Sequence, residues 1–177
     1  STVYTDENVP HLMSREGDRK RLISEVYRLV TGEFADTATI NDIGAMITFA
    51  KNMMLSDEEI KALSGSGYDT LGIYREYNLA LSSRSLMDYD DQMVTALDIL
   101  RKYPDILAYF HGRFRYICVD EAQDTSKIQH EIIRLLAAKS SNIFMVGDED
   151  QSIYAFRGAY PEALIDFEKT YKNAQIL

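Results

Sequence analysis

Two short apolar runs in the second half of the chain each end directly in acidic residues. The first run, "RYICVD", ends at Asp120 and is followed by Glu121; the second, "NIFMVGD", ends at Asp148 and leads to Asp150. Between them, "SKIQHEIIRLLAAK" has the apolar spacing of a helix. Two strands joined by a helix of this length form a βαβ unit, so we predict that the strands are parallel neighbours.

The acids at the two strand ends are therefore expected to share one edge of a sheet. Ligands bind at the carboxyl ends of the strands in open α/β sheets. A carboxylate at a strand tip can hold Mg²⁺, and a second beside it can orient or deprotonate an attacking water. Four apolar residues followed by Asp120 and Glu121 are typical of a Walker B element. The alternative is that these acids only cap the next helix.

The composition predicts a globular, cytoplasmic protein. The chain has 177 residues, of which 46% are hydrophobic, enough for one ordinary domain or two small ones. It has no basic leader and no apolar run near the roughly 20 residues that a membrane span needs. A formal net charge of -9 argues against nucleic-acid binding by bulk charge, but it leaves a local binding face open. The single cysteine, Cys118, is predicted to be a small core residue.

The first half of the chain is predicted to be helical with short polar joints. Ser14 and Ser56 are candidate N-caps, and the flexible "SGSG" separates two helical stretches. A later helix in "MDYDDQMVTALDILRKYP" is expected to stop at Pro104. The apolar faces of the first two helices are predicted to contain Leu22, Val26, Leu29 and Val30, and Ile43, Ile47, Ala50 and Met54.

A polar and aromatic string, "VGDEDQSIYAFRGA", begins in the second apolar run. Gln151 could read a terminal phosphate, Tyr154 and Phe156 could stack on bases, and Arg157 could meet a phosphate. Taken alone, the two aromatic residues are better explained as core residues.

The strings "VDEAQDTSKIQHEII" and "VGDEDQSIYAFRGA", separated by a helix, resemble motifs II and III of the UvrD/Rep/PcrA family of superfamily 1 DNA helicases. The resemblance runs from about Tyr74 to Leu177 and includes "LMDYDDQMVTALDIL". It implies an α/β fold of the P-loop NTPase (RecA-like) type, with a partial parallel sheet and a largely helical inserted subdomain. Residues 1–86 resemble that inserted subdomain, called 1B, and residues 87–177 resemble part of subdomain 1A.

The resemblance also implies roles for individual residues. Asp120 would help to coordinate the Mg²⁺ bound to ATP, and Glu121 would be the general base that activates the hydrolytic water. Gln151 would sense the γ-phosphate and couple it to DNA. The residues implied on the single-stranded DNA track are Tyr154, Phe156 and Arg157, although many relatives have tryptophan in place of Phe156.

The function implied is ATP-dependent translocation on single-stranded DNA, in the 3′ to 5′ direction, as part of DNA repair or replication. No Gly-Lys pair occurs in the chain, so it lacks the Walker A motif that cradles phosphates. We therefore expect the isolated chain to be inactive as an ATPase. Strands normally contributed by the rest of the motor would be missing, so exposed sheet edges could promote self-association.

Three other functions compete with the UvrD-type interpretation. An RNA helicase of the DEAD type shares "DEA", but the intervening Gln123 shifts the last acid by one position. A metal-dependent nuclease could use the acidic cluster, but many such enzymes have a lysine two residues after the second acid, where this chain has Gln123. A noncatalytic module could use the helical half to bind a protein partner. Cleavage of DNA with metal alone, or the presence of Walker A upstream in the gene, would distinguish these functions.

Overall fold

A computed structural model of the chain describes residues 9–63, 67–148, 159–160, 163, 166–171 and 174–175. These residues form a mixed α/β chain that is mostly helical and contains two small parallel sheets. The predicted α/β class is thus confirmed. The chain divides into two compact units, Ser1–Gln92 and Met93–Leu177. The assignment of residues 1–86 and 87–177 to subdomains 1B and 1A stays a prediction.

The first unit contains four helices and two short strands within its described residues. In chain order they are β1 (His11–Leu12), α1 (Glu16–Thr31), α2 (Thr37–Asn52), α3 (Asp57–Ala62), α4 (Thr70–Ser83) and β2 (Leu86–Met87). Helix α5 (Tyr89–Lys102) begins in the first unit and ends in the second. The described elements that follow are α6 (Pro104–Arg113), β3 (Ile117–Val119), a 3₁₀ turn (Ala122–Asp124), α7 (Lys127–Ala137), β4 (Ile143–Met145) and α8 (Phe167–Thr170).

The helix starts agree only partly with the sequence predictions. Ser56 is the N-cap of α3 as predicted, and it forms a reciprocal capping box with Glu59. Ser14 is not an N-cap, because α1 begins one residue later, after Arg15, and has no side-chain cap. Acidic Glu16 and Asp18 in the first turn of α1 instead interact favourably with the helix dipole.

The core of the first unit lies where α1 packs against α2 and α4. The predicted positions Ile43, Ile47 and Ala50 are buried, whereas Leu29, predicted on the apolar face of α1, is 69% exposed. The buried residues of α1 form an apolar stripe, and Leu29 lies at its edge, about a quarter turn from the centre of the stripe. The buried cluster consists of Leu22, Ile23, Val26, Tyr27, Ile43, Ile47, Ile73, Tyr77 and Leu81.

The predicted βαβ unit is present in the second unit. Strands β3 and β4 are parallel, with Ile117 opposite Ile143 and Val119 opposite Met145. Cys118 is exposed, which corrects its prediction as a core residue. It shares a face of the sheet with Phe144, which is 57% exposed, because successive strand residues point to opposite faces. Within the described residues this face is largely uncovered, and self-association through the sheet stays a prediction.

Two structural features were not foreseen from the sequence. Pro104 ends α5 as expected, but it is also the first residue of α6, where its missing N–H costs no helical hydrogen bond. The short strands β1 and β2 form a parallel pair of two residues each, too short to give an alternation in sequence. Among the described residues, no helix combines the length and hydropathy that crossing a membrane requires.

Candidate functional site

The acidic pair at the tip of β3 sits on an unusual backbone. Asp120 and Glu121 follow directly after Val119 and are both exposed. Glu121 has a left-handed backbone with a φ of 50°, which costs a residue other than glycine about 1–3 kcal/mol. The Oδ1 of Asp120 accepts a hydrogen bond from the backbone N–H of Glu121 at 3.0 Å. The turn thus ends the strand sharply and leaves two carboxylates side by side at its carboxyl end.

Backbone hydrogen bonds join this tip to the tip of β4. The N–H of Val146 donates to the carbonyl of Val119 at 2.8 Å, and the N–H of Ala122 donates to the carbonyl of Val146 at 2.9 Å. The parallel register therefore continues past the last strand residues. Asp120 and Asp148 consequently follow neighbouring strands at the same edge of the sheet, as the sequence predicted.

Gln123 connects the same two tips through its side chain. It is 2% exposed, its Nε2 donates to the Oε2 of Glu121 at 2.6 Å, and its Oε1 accepts from the backbone N–H of Asp148 at 3.1 Å. A buried amide is stable only when its donor and acceptor are both satisfied. In the sequence, Gln123 was informative only as a departure from the motifs of other protein classes. Nothing in its local pattern signalled a contact across 25 positions.

The segment after the 3₁₀ turn is held by a second group of contacts. Thr125 donates its hydroxyl proton to the carbonyl of Ala122 at 2.6 Å, so the Nε2 of His130, 2.5 Å from the same oxygen, acts as the donor there. The N–H of Tyr160 donates to the carbonyl of Thr125 at 2.9 Å. Ala159, the last residue of the "VGDEDQSIYAFRGA" string, forms an antiparallel bridge with Ser126, so the end of the string lies beside the residues that follow the acidic pair.

Burial changes the ionisation of His130. Its ring is half-buried and packs edge-on against Tyr160, with ring centroids 6.3 Å apart. Burial is the main cause that lowers the pKa of His130 below 6.5, because the charged imidazolium loses hydration. The lowered pKa favours the neutral ring, and the hydrogen bond to Thr125 requires a proton on Nε2.

A buried charge cluster in the first unit was not anticipated from the sequence. The Nζ of Lys51 lies 2.9 Å from the Oδ2 of Asp88 and 2.6 Å from the Oδ1 of Asp91, and the Tyr77 hydroxyl donates to Asp88 at 3.1 Å. Burial works to raise the pKa of Asp88, but the charge and hydrogen bond of Lys51, together with the Asp91 backbone N–H and Arg19, hold that pKa below its ordinary value. Burial and the nearby Asp88 raise the pKa of Asp91.

The remaining acid of "MDYDD", Asp90, also has partners in the first unit. The carboxylate of Asp90 accepts hydrogen bonds from Thr48 and from Asn52, both at 2.8 Å, and Arg19 lies 3.9 Å away. Asp88 and Asp91 also exchange backbone-to-carboxylate hydrogen bonds at the start of α5. The acids of this string therefore have structural partners 37 to 42 positions earlier in the chain, which sequence spacing does not reveal.

The other predicted site residues cannot be located in the same way. Gln151, Tyr154, Phe156 and Arg157 lie outside the described residues, as does Asp150. Among the described residues no group of three or more His, Cys, Asp or Glu side chains could enclose a metal ion. Asp120 and Glu121 nevertheless fit Mg²⁺, which is commonly held by one or two carboxylates together with water and substrate phosphates.

Comparison with known sequences shows the family of this chain. The model of the UvrD/REP helicase N-terminal domain matches residues 5–172, nearly the whole chain. The chain belongs to the UvrD/REP helicase family. This result confirms the resemblance drawn from the two motif strings, and it extends the likeness over the helical first half.

Several curated relatives of this UvrD/REP-type chain are bacterial proteins named ATP-dependent DNA helicase PcrA. The protein of Leuconostoc citreum is 40% identical over 157 residues, which are 88% of this chain and 20% of the relative. That of Bacillus subtilis is 36% identical over 133 residues, 74% of this chain and 18% of the relative. That of Staphylococcus aureus is 41% identical over 105 residues, 59% and 14%. The chain spans a fifth or less of the length of these relatives.

Proposed function

We propose that this chain is the segment of an ATP-dependent DNA helicase that carries the base for ATP hydrolysis and part of the single-stranded DNA track. The observation that carries the proposal is the joining of the β3 and β4 tips through Val119, Ala122 and Val146 in a chain of the UvrD/REP family. The acidic pair and the start of the second motif string then face one common edge. The PcrA relatives named above supply the substrates, ATP and DNA.

The proposed division of labour follows from the chemistry of each side chain. The exposed carboxylate of Asp120 is suited to Mg²⁺, which would neutralise phosphate charge when bound. The neighbouring carboxylate of Glu121 is suited to accept a proton from the attacking water. Gln151 would sense the γ-phosphate. Tyr154, Phe156 and Arg157 would contact single-stranded DNA by stacking and by charge.

ATP binding would depend on a Walker A segment that this sequence does not contain. Without backbone amides and a lysine around the phosphates, Glu121 has no oriented substrate on which to act. We accordingly propose that the chain alone hydrolyses no ATP and that it works inside a longer cytoplasmic protein. That protein would move 3′ to 5′ on single-stranded DNA, in repair or replication.

A chimera tests this function directly. The aligned segment of the Leuconostoc citreum PcrA helicase would be replaced by this chain, and ATP-dependent unwinding of duplexes with 3′ or 5′ tails would be measured. The proposal expects unwinding of the 3′-tailed duplex, and none by the isolated chain. A chimera that folds with the thermal midpoint of its parent but hydrolyses no ATP would overturn the proposal.

A further inference from the structure

We infer that Gln123 is a positioning residue for hydrolysis. Its side-chain amide bridges the carboxylate of Glu121 and the backbone of the loop after β4. This inference rests on the proposed function, because it takes Glu121 as the general base. The roles proposed above for the acidic pair and for Gln151 did not include Gln123. The inference is carried by the two hydrogen bonds of one buried amide, at 2.6 Å and 3.1 Å.

The side chain of Glu121 needs a partner to fix its direction. Glu121 has a left-handed backbone conformation and its side chain is exposed. Packing therefore does not fix the direction of the side chain. A general base has to lie within hydrogen-bonding reach of the water it activates. The buried Nε2 of Gln123 fixes one carboxylate oxygen, Oε2, and leaves Oε1 for another partner.

Gln123 is itself held in place by burial and by the loop after β4. The side chain is 2% exposed, and its Oε1 accepts the backbone N–H of Asp148, which belongs to the loop after β4. A glutamine is the side chain that donates at one end of its amide and accepts at the other with this reach. Asparagine is one methylene shorter. The pair of contacts therefore makes the direction of the Glu121 carboxylate depend on the position of Asp148.

The contact with Asp148 couples Gln123 to the second motif string. Asp148 precedes Gln151 in the same motif string, and Gln151 is the proposed sensor of the γ-phosphate. A displacement of the backbone at Asp148 would pull on the Gln123 amide and so turn the Glu121 carboxylate. Gln123 thus links the two motifs through a side chain, in addition to the backbone hydrogen bonds between them.

Three variants separate the two ends of the amide. Gln123→Met keeps the length and removes both hydrogen bonds. Gln123→Glu keeps an acceptor for the Asp148 N–H and removes the donor to Glu121. The exchange Glu121→Gln with Gln123→Glu restores a donor and an acceptor in reversed order. Gln175→Met, at an exposed glutamine, is the matched control.

Amide hydrogen exchange at Asp148, measured on this chain by NMR, reads the contact without any activity. The Asp148 amide should exchange at least about tenfold faster in Gln123→Met and at the unmodified rate in Gln123→Glu and Gln175→Met. The exchanged pair should regain the thermal midpoint that Gln123→Glu loses. Unchanged protection in Gln123→Met, or no recovery in the exchanged pair, overturns the inference.

Kinetics in the full-length helicase that contains this segment read the positioning role. Both single variants at Gln123 should lower kcat by about 10- to 100-fold, with the KM for ATP changed by less than about threefold. Equal effects on kcat and KM, or no effect, overturn the inference. If Glu121→Gln itself retains hydrolysis, the proposed function fails instead. If Glu121→Gln is inactive and the Gln123 variants are fully active, only this inference fails.

Discussion

The ammonium nitrogen of Lys51 lies 2.9 Å from a carboxylate oxygen of Asp88, with side-chain exposures of 2% and 3%. Replacing Lys51 with methionine would leave the Asp88 carboxylate buried without its cation. We predict that Lys51→Met lowers the free energy of unfolding by about 3–5 kcal/mol, measured by urea denaturation followed by circular dichroism.

Lys20→Met provides the matched control for this prediction. Lys20 lies 3.9 Å from Glu16 on the exposed face of α1, with side-chain exposures of 42% and 68%. Exposed pairs of this kind contribute about 0–1 kcal/mol, so this variant should unfold almost like the unmodified chain. Similar losses in the two lysine variants would contradict the structural role of the buried pair.

The core of the first unit gives a second prediction. Ile73 is fully buried where α4 meets α1 and α2, whereas Leu79 on the same helix is 58% exposed. Ile73→Ala should lower the free energy of unfolding by about 2–5 kcal/mol, and Leu79→Ala by less than about 0.5 kcal/mol. A larger loss for Leu79→Ala than for Ile73→Ala would mean that α4 packs with its other face.

The pH dependence of stability provides a third prediction. Because burial lowers the pKa of His130 below 6.5, the neutral ring favours the folded state. This contribution is complete above pH 6.5 and is lost as the pH falls through the lowered pKa of the folded state. His130→Gln, which keeps a donor for Thr125, should remove this part of the pH dependence. An NMR titration of His130 with a midpoint above 6.5 would contradict the prediction.

The shared sheet edge of Asp120 and Asp148 could be predicted from the sequence, because local patterns determine it. Apolar runs followed by Asp120 and Asp148, on either side of an amphipathic helix, leave few alternatives to parallel neighbouring strands. The structure has the register that this arrangement requires, although each strand is only three residues long. The prediction that Cys118 is buried was wrong for a physical reason. An apolar run does not indicate whether both faces of a sheet are covered.

What the sequence did not reveal are contacts between distant polar residues. Lys51 and Asp88 are 37 positions apart, and Gln123 and Asp148 are 25 apart. Neither pair has a periodicity or a motif spacing. Such contacts depend on how helices and strands pack in the folded chain. A buried lysine therefore cannot be distinguished in the sequence from an ordinary surface lysine. The roles of Gln151, Tyr154, Phe156 and Arg157 stay predictions.

The proposed role of Glu121 is that of a base at the sheet edge that β3 and β4 share. Its most direct test is rapid-quench ATP hydrolysis by the full-length helicase carrying Glu121→Gln, with ATP affinity measured in parallel and Glu33→Gln, at an exposed carboxylate, as control. We predict a loss of hydrolysis of at least about 100-fold with ATP affinity retained, and a control that behaves like the unmodified protein. Hydrolysis at the unmodified rate, or ATP binding lost together with hydrolysis, would contradict it.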